Sequence, residues 1–407
     1  MRAIVLLCLF LSPAPVSAQE LAVITSFPPR MTEAYADLWA KGRPASQIRV
    51  LHKNTVAAID EIARGNERRF DIFMVSSPEA FELLAQKGAF APERVCGDGP
   101  TSVEPFALSS VGWTRRTDSE LFMPGEWNDL LRAPYQGKIA MARPARSGST
   151  HIMVEHLLQI RGWDEGWSYI LSLASNLSTL TARSFGVPDG VAQRRFEIGL
   201  TLDFLAQSKS DVLEFRYGRP VMLTAARIGI LANGKSPEAA CDFVKMVLSP
   251  EGQRLLLRPE IARIPIDSDA RKEAPALPDR VQDALRLEWI SYDSSVSARR
   301  YWAVNTLFDV MITESLAERK SLWARVRALE DQVDPAALAS IRADLISAVT
   351  VEPPLIATYD AGDGLRTTHL TGMSEAQRRV VEGWRSANAS FLQRAHERLL
   401  ELESLAN

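Results

Sequence analysis

Short apolar runs alternate with amphipathic stretches over the first quarter of the chain. LAVIT at 21–25 precedes a segment near Thr32 to Trp39 with apolar residues at helical spacing; IRVLH at 48–52 precedes Val56 to Arg64, and FDIFMV at 70–75 precedes Pro78 to Lys87. Runs too short for helices, each followed by a 3.6-residue period, predict β–α units and a mostly parallel sheet with crossover helices. ALSSVGWTR at 107–115 reads as a further strand. LLRAPYQGKIAMAR at 130–143 ends in another, followed by a long helix from about Thr150 to Arg161 and a strand within FEIGLTLDF at 196–204. PVMLTAARIGILA at 220–232 then returns as an apolar strand. The pattern predicts a chain that leaves its first α/β unit once and re-enters it once: residues 19–110 and 223–290 in one lobe, 111–222 in the other.

The remainder, 291–407, reads as a helical extension. Asp334-Pro335 is a helix cap followed by proline, and Ser374 with Gln377 makes a capping box that opens a helix of about thirty residues. Val380, Trp384, Phe391, Ala395 and Leu399 share one face of that helix, and Trp302, Leu307, Phe308 and Met311 do the same upstream. Ser236-Pro237-Glu238 supplies a hydroxyl cap, a first-position proline and a first-turn acid for a helix to about Leu248; Ser249-Pro250-Glu251-Gly252 opens a second at once.

Arg2, the apolar core from Ala3 to Leu11 and the small residues Val16-Ser17-Ala18 form a secretory leader over residues 1–18, which implies a periplasmic protein. No later run is apolar for the roughly 18 residues a membrane span needs. The net charge of −3 carries no basic stripe, so nucleic acid is not an expected partner. Cys8 leaves with the leader. Cys96 and Cys241 remain, either as a disulfide or as two buried thiols.

Ligands of open parallel sheets meet the carboxyl ends of the strands, where helix starts expose unpaired N–H groups. Four segments fit: Thr25-Ser26-Phe27, Lys53-Asn54-Thr55, Ser76-Ser77, and Arg146-Ser147-Gly148-Ser149-Thr150. Hydroxyls and N–H groups gathered at helix starts suit an anion, although each is also an ordinary cap. Asp203, at the end of its strand, is either a cleft residue or a turn residue. His151, Glu155 and His156 read H-x-x-x-E-H, the wrong order and spacing for a zinc-protease helix, and five residues turn the histidines about 140° apart. They are read as surface residues, and with no nucleophile elbow or phosphate loop in the sequence, catalysis is not expected.

SPEAACDFVKMVLSPEGQR at 236–254 and WNDLLRAPYQGKIAMARPARSGST at 127–150 resemble signature segments of the iron-type branch of periplasmic solute-binding proteins, the receptors of ABC importers. The resemblance implies an α/β, two-lobed type II binding fold with mixed, mostly parallel sheets, here with the helical C-terminal extension. It implies a non-catalytic, monomeric receptor without a cofactor, serving an inner-membrane ABC permease. Ser184-Phe185-Gly186 is similar to the family loop that touches ligand. Where iron-binding relatives place two consecutive tyrosines, this chain has Arg216-Tyr217. A guanidinium cannot ligate metal but grips carboxylate or phosphate, so a small organic anion is expected before ferric ion. TSFPPR at 25–30, HKNT at 52–55 and the long tail are similar to a subgroup of regulatory binding proteins of phosphoglycerate transport. That similarity keeps open a second role, reporting ligand to a membrane histidine kinase.

Overall fold

The computed structural model describes residues 20–274, 277–286, 292–349 and 373–406, and the expected leader at 1–18 lies outside the described residues. The chain opens with β1 (Glu20–Thr25), α1 (Pro29–Gly42), β2 (Gln47–His52), α2 (Thr55–Ala63), β3 (Ile72–Val75) and α3 (Pro78–Ala85). β1 pairs in parallel with β2 and with β3. Both of its faces are covered: Leu21 and Val23 pack with Tyr35 and Trp39 of α1, whereas Ala22 and Ile24 pack with Val56, Ile59 and Phe81 of α2 and α3. A strand buried on both sides reads as a continuous apolar run, as LAVIT does.

β4 (Val103–Arg116) is the longest strand and belongs to two halves of the sheet. Residues 103–110 pair antiparallel with β9 (Leu223–Ile230); residues 111–116 pair antiparallel with β7 (Ile198–Leu202) and β8 (Leu213–Tyr217). The second half is completed by β5 (Ile139–Ala142) and β6 (Leu177–Thr181), with α4 (Gly148–Arg161), α5 (Trp163–Ala174), α6 (Gly186–Ala192) and α7 (Asp203–Gln207) around it. The order is β2-β1-β3-β9-β4-β7-β5-β6, with β8 and β10 (Ile264–Pro265) also on β4. Every antiparallel pairing between these named strands includes β4 or β9, and strand pairing away from these two is parallel.

After β9 come α8 (Pro237–Leu248), α9 (Pro250–Leu255), α10 (Ser268–Lys272), α11 (Asp279–Arg286), α12 (Ser294–Phe308), α13 (Leu316–Leu329), α14 (Pro335–Ile346) and α15 (Glu375–Ala406). Ser249 caps α9 through Gly252 N as the sequence suggests, but Ser236 does not cap α8: its hydroxyl points to Glu20 O. Ser374 and Gln377 form the reciprocal capping box of α15. Trp384, Ala395 and Leu399 of that helix are buried together with Val381 and Leu392, while Val380 and Phe391 flank the stripe half-buried. Cys96 and Cys241 are joined in a disulfide, tying the loop after α3 to α8 across 145 residues.

His151, Glu155 and His156 correct the surface reading, since all three are buried. α4 is covered by the second half-sheet on one side and by α12 on the other, so its polar residues face neighbours instead of water. Tyr292 donates to Glu79 at 3.1 Å and lies 2.7 Å from Ser297, whose hydroxyl is 3.0 Å from His151 Nε2; His151 Nδ1 meets Asn305 at 2.9 Å. Burial pushes Glu79 up to about 7 and His151 down to about 3, so both are neutral in mildly acidic water.

Two tests follow from these contacts. Replacing Cys96 and Cys241 by serine should cost about 2–5 kcal/mol of unfolding free energy, since a long loop is no longer closed in the unfolded chain; denaturant titration with and without reductant checks it. For Glu79, a raised folded pKa means its contribution is full below the unfolded value and is lost as pH rises through about 7. Glu79→Gln, which mimics the neutral form, should therefore gain about 2–3 kcal/mol relative to the unaltered protein between pH 5 and pH 8, read by denaturation at each pH.

Candidate functional site

The carboxyl ends of β1, β2, β3, β5 and β6 open onto one cleft between the two halves of the sheet, partly open to solvent. Ser26 after β1, Asn54 and Thr55 after β2, and Ser76 after β3 line one wall; Arg146, Ser147, Gly148 and Ser149 after β5, with Ser184 and Phe185 after β6, line the other. The loops take this form because each closes a strand and opens a helix. Asn54 caps α2 by accepting from Ala57 N at 2.9 Å, and Ser147 caps α4 by accepting from Thr150 N at 3.3 Å.

The walls nearly touch at Gly148. A Cβ placed there would lie 2.8 Å from Thr55 Oγ1 and 3.0 Å from Ser77 Cβ, so only glycine fits while the halves are this close. The N-termini of α2, α3 and α4 therefore meet across the cleft. Each carries about half a positive charge. Three like poles facing one another repel unless an anion or water lies between them. Charge on the rim adds to this: Arg146 and Arg183 are exposed there, Arg183 with its guanidinium 5.7 Å from the Phe185 ring. Lys53 also lines the cleft but is paired with Glu61 at 2.6 Å.

Seven of the residues singled out by sequence lie off the cleft lining. Thr25 is fully buried, donating to Met74 O and accepting from Phe27 N, so it shapes the loop instead of facing the cleft. Ser77 turns its hydroxyl to Glu79, Thr150 donates to Ser147, and Gly186 is the first residue of α6 beside Thr181. Asp203 is buried and accepts from Ser110 N at 3.0 Å, Phe204 N at 2.8 Å and Tyr217 OH at 3.2 Å. It pins the point where β4 passes between the halves, and burial pushes it up to about 7. Arg216 and Tyr217 correct the expectation most plainly. They are neighbours on β8, so their side chains take opposite faces: Tyr217 goes inward to Asp203 and Gln207, while Arg216 is exposed and off the cleft lining.

The sequence reading missed Leu202, Phe204, Leu205 and Arg263. Phe27, Leu202, Phe204 and Leu205 line the cleft, and Arg263 lines a chamber that shares Ser26, Phe27, Lys53 and Phe204 with it. Phe27 belongs to the first of the four predicted segments, whereas Arg263 sits in no motif.

A sheet in two halves, joined by crossing strands around a polar cleft, is the architecture of a two-lobed solute receptor. The chain belongs to the bacterial extracellular solute-binding proteins, whose family model matches residues 20–258. It is 28% identical over 353 residues to the phosphoglycerate transport regulatory protein PgtC of Salmonella typhimurium, covering 82% of this chain and 87% of that one. Its fold is similar to the periplasmic binding protein AfuA from Actinobacillus pleuropneumoniae, solved with exogenous fructose-6-phosphate bound, at a TM-score of 0.62 and 19% identity over 72% of this chain and 98% of that one. It is also similar to the ferric binding protein from Campylobacter jejuni, at a TM-score of 0.53 and 14% identity over 65% of this chain and 97% of that one.

Gly148→Val should act as a wedge. Overpacking of about 1–3 kcal/mol in the closed form alone shifts the closed-to-open ratio roughly 5- to 150-fold towards open. Small-angle scattering should report a larger radius of gyration, with a melting temperature close to that of the unaltered protein.

Proposed function

We propose that this protein is a periplasmic receptor that closes on a small organic anion, a phosphorylated or carboxylated acid such as phosphoglycerate or phosphoenolpyruvate, and delivers it to an ABC importer. The observation that carries the reading is the meeting of the α2, α3 and α4 N-termini at Gly148, with hydroxyls from both walls around them. An anion there gains hydrogen bonds from both lobes only when they close, which couples capture to closure. The crossings of β4 near residue 110 and of the chain near residue 222 serve as the hinge.

Magnitudes make micromolar capture reasonable. Hydrogen bonds to a charged group contribute about 1.5–3 kcal/mol each, association costs roughly 4–15 kcal/mol, and a micromolar Kd needs about 8 kcal/mol net. Some five to eight contacts from both walls suffice by that arithmetic. A ferric reading is less well supported. Burial, with the neighbouring Asp203 charge adding to it, drives the Tyr217 phenol far above the ordinary range, and no cluster of three His, Cys, Asp or Glu among the described residues could hold a metal.

A sensing role, reporting to a membrane histidine kinase, is favoured by one observation beside the similarity to PgtC: α12 packs against α3 and α4, touching both sides of the cleft. Neither role needs a catalytic residue.

Calorimetry with 3-phosphoglycerate, phosphoenolpyruvate, inorganic phosphate and ferric ion tests the proposal. The expected result is micromolar binding of an organic phosphate, weakened roughly 10- to 100-fold by Thr55→Val. Tight ferric binding without binding of any organic anion would overturn it.

A further inference from the structure

Arg263 has no role in holding the fold together that accounts for its whole guanidinium. It precedes β10, which is pinned to β4 at Leu108 and Ala107, and its own N–H bonds to Leu256 O at 2.8 Å. The preceding Ala262 has a φ of 51°, in the left-handed region that an alanine adopts only at a cost. The chain is thus turned sharply where it delivers this side chain to the junction of the two lobes.

There the guanidinium lies between two rings, 4.3 Å from the centroid of Phe27 on one wall and 3.6 Å from that of Phe204 on the other. It is 2% exposed and lines the chamber beside the cleft. Nη2 donates to Ser76 Oγ at 3.0 Å, and Ser76 lines the cleft itself. Nε and Nη1 meet no acceptor among the described residues. Asp203 acts on Arg263 through its charge, but its oxygens are taken by Ser110, Phe204 and Tyr217, and the two form no ion pair. Burial lowers the guanidinium to about 9, which leaves it charged at neutral pH.

A buried cation with two of its three nitrogens unmet is costly unless something negative joins it. Asp203 reaches it only through its charge, and Glu33, Asp189 and Glu260, which line the same chamber, form no ion pair with it, so Nε and Nη1 stay unmet where the position faces the ligand chamber. We infer that Arg263 is a second anion-binding group of the cleft, taking a carboxylate while the helix N-termini around Gly148 take a phosphate. The ligand class is then a short organic acid that carries both groups. This inference rests on the proposed anion-capture reading and narrows it.

Calorimetry with two probes that differ at one group separates the claims: 3-phosphoglycerate, which has the carboxylate, and glycerol 3-phosphate, which has a hydroxymethyl in its place. The unaltered protein should prefer 3-phosphoglycerate by at least about tenfold. Arg263→Gln should erase that preference while leaving glycerol 3-phosphate affinity within about threefold, and Arg263→Lys should keep part of it because the charge stays. Equal binding of both probes by the unaltered protein overturns the inference and leaves phosphate capture standing. Equal weakening of both probes in a folded Arg263→Gln also overturns it, assigning Arg263 to positioning Ser76. Binding of neither probe by the unaltered protein overturns the inference together with the reading beneath it. The comparison of probes on the unaltered protein needs no variant, so poor folding of Arg263→Gln does not remove the test.

Discussion

The structure depends on one strand that serves two masters. β4 hydrogen-bonds to β9 along its first part and to β7 and β8 along its second, so the two halves of the sheet share a single backbone at their seam. A shared strand keeps the halves in register yet allows a twist at one point, and that point is marked. Asp203, from the second half, accepts the N–H of Ser110 at the changeover and is steadied by Tyr217. Everything in the cleft is referred to this seam. β10 hangs Arg263 from it, and the walls that carry Thr55 and Gly148 face each other because the seam sets their separation.

The cleft collects positive potential from several sources that would be unremarkable singly. A helix N-terminus is worth only a fraction of a charge and falls off within its first turn. Three at Gly148, with Arg146 and Arg183 at the rim and Arg263 behind Ser76, add in one place from which water is partly excluded. Low local polarisability strengthens each of these, and the same effect holds Asp203 and Glu79 towards their neutral forms, about 7 in each case. Asp203 and Glu79, buried behind the walls, thus oppose its positive potential least in mildly acidic water.

Much of this was legible in the sequence because local rules and global fold agree. Double-sided burial of β1 is written in LAVIT, the α15 capping box in Ser374 and Gln377, and the capping of α2 and α4 in Asn54 and Ser147. What stayed hidden are contacts between residues far apart in the chain. Ser236 looks like a cap but bonds to Glu20 O, and His151 looks exposed until α12, about 150 residues later, covers it. Arg216 was misplaced although the two-residue period of β8 could have shown that it and Tyr217 face opposite ways. Arg263 had no signal, since its partner Ser76 is 187 positions away.

The helical extension is attached unequally to the two halves, and the inequality decides which half it follows. Towards the first half, α12 offers Ala298 and Tyr301 to the core around α3, with Tyr292 just ahead of it bonded to Glu79. Towards the second, it buries Trp302, Val304, Leu307 and Phe308 in the core around α4 and α5, and Arg300 pairs with the buried Glu155. Parting Arg300 from Glu155 strands a buried charge, at a cost of about 3–5 kcal/mol, whereas a hydrogen bond to a neutral acid is worth only about 1 kcal/mol net. If the halves part as the proposed capture requires, the weaker contact yields first. On that reading the extension stays with the second half, and the slip falls along α3, whose first turn carries Glu79 two residues from Ser77 and whose N-terminus faces Gly148. The proposed opening and closing of the cleft would in this way be felt at the surface of the extension through its packing on α4.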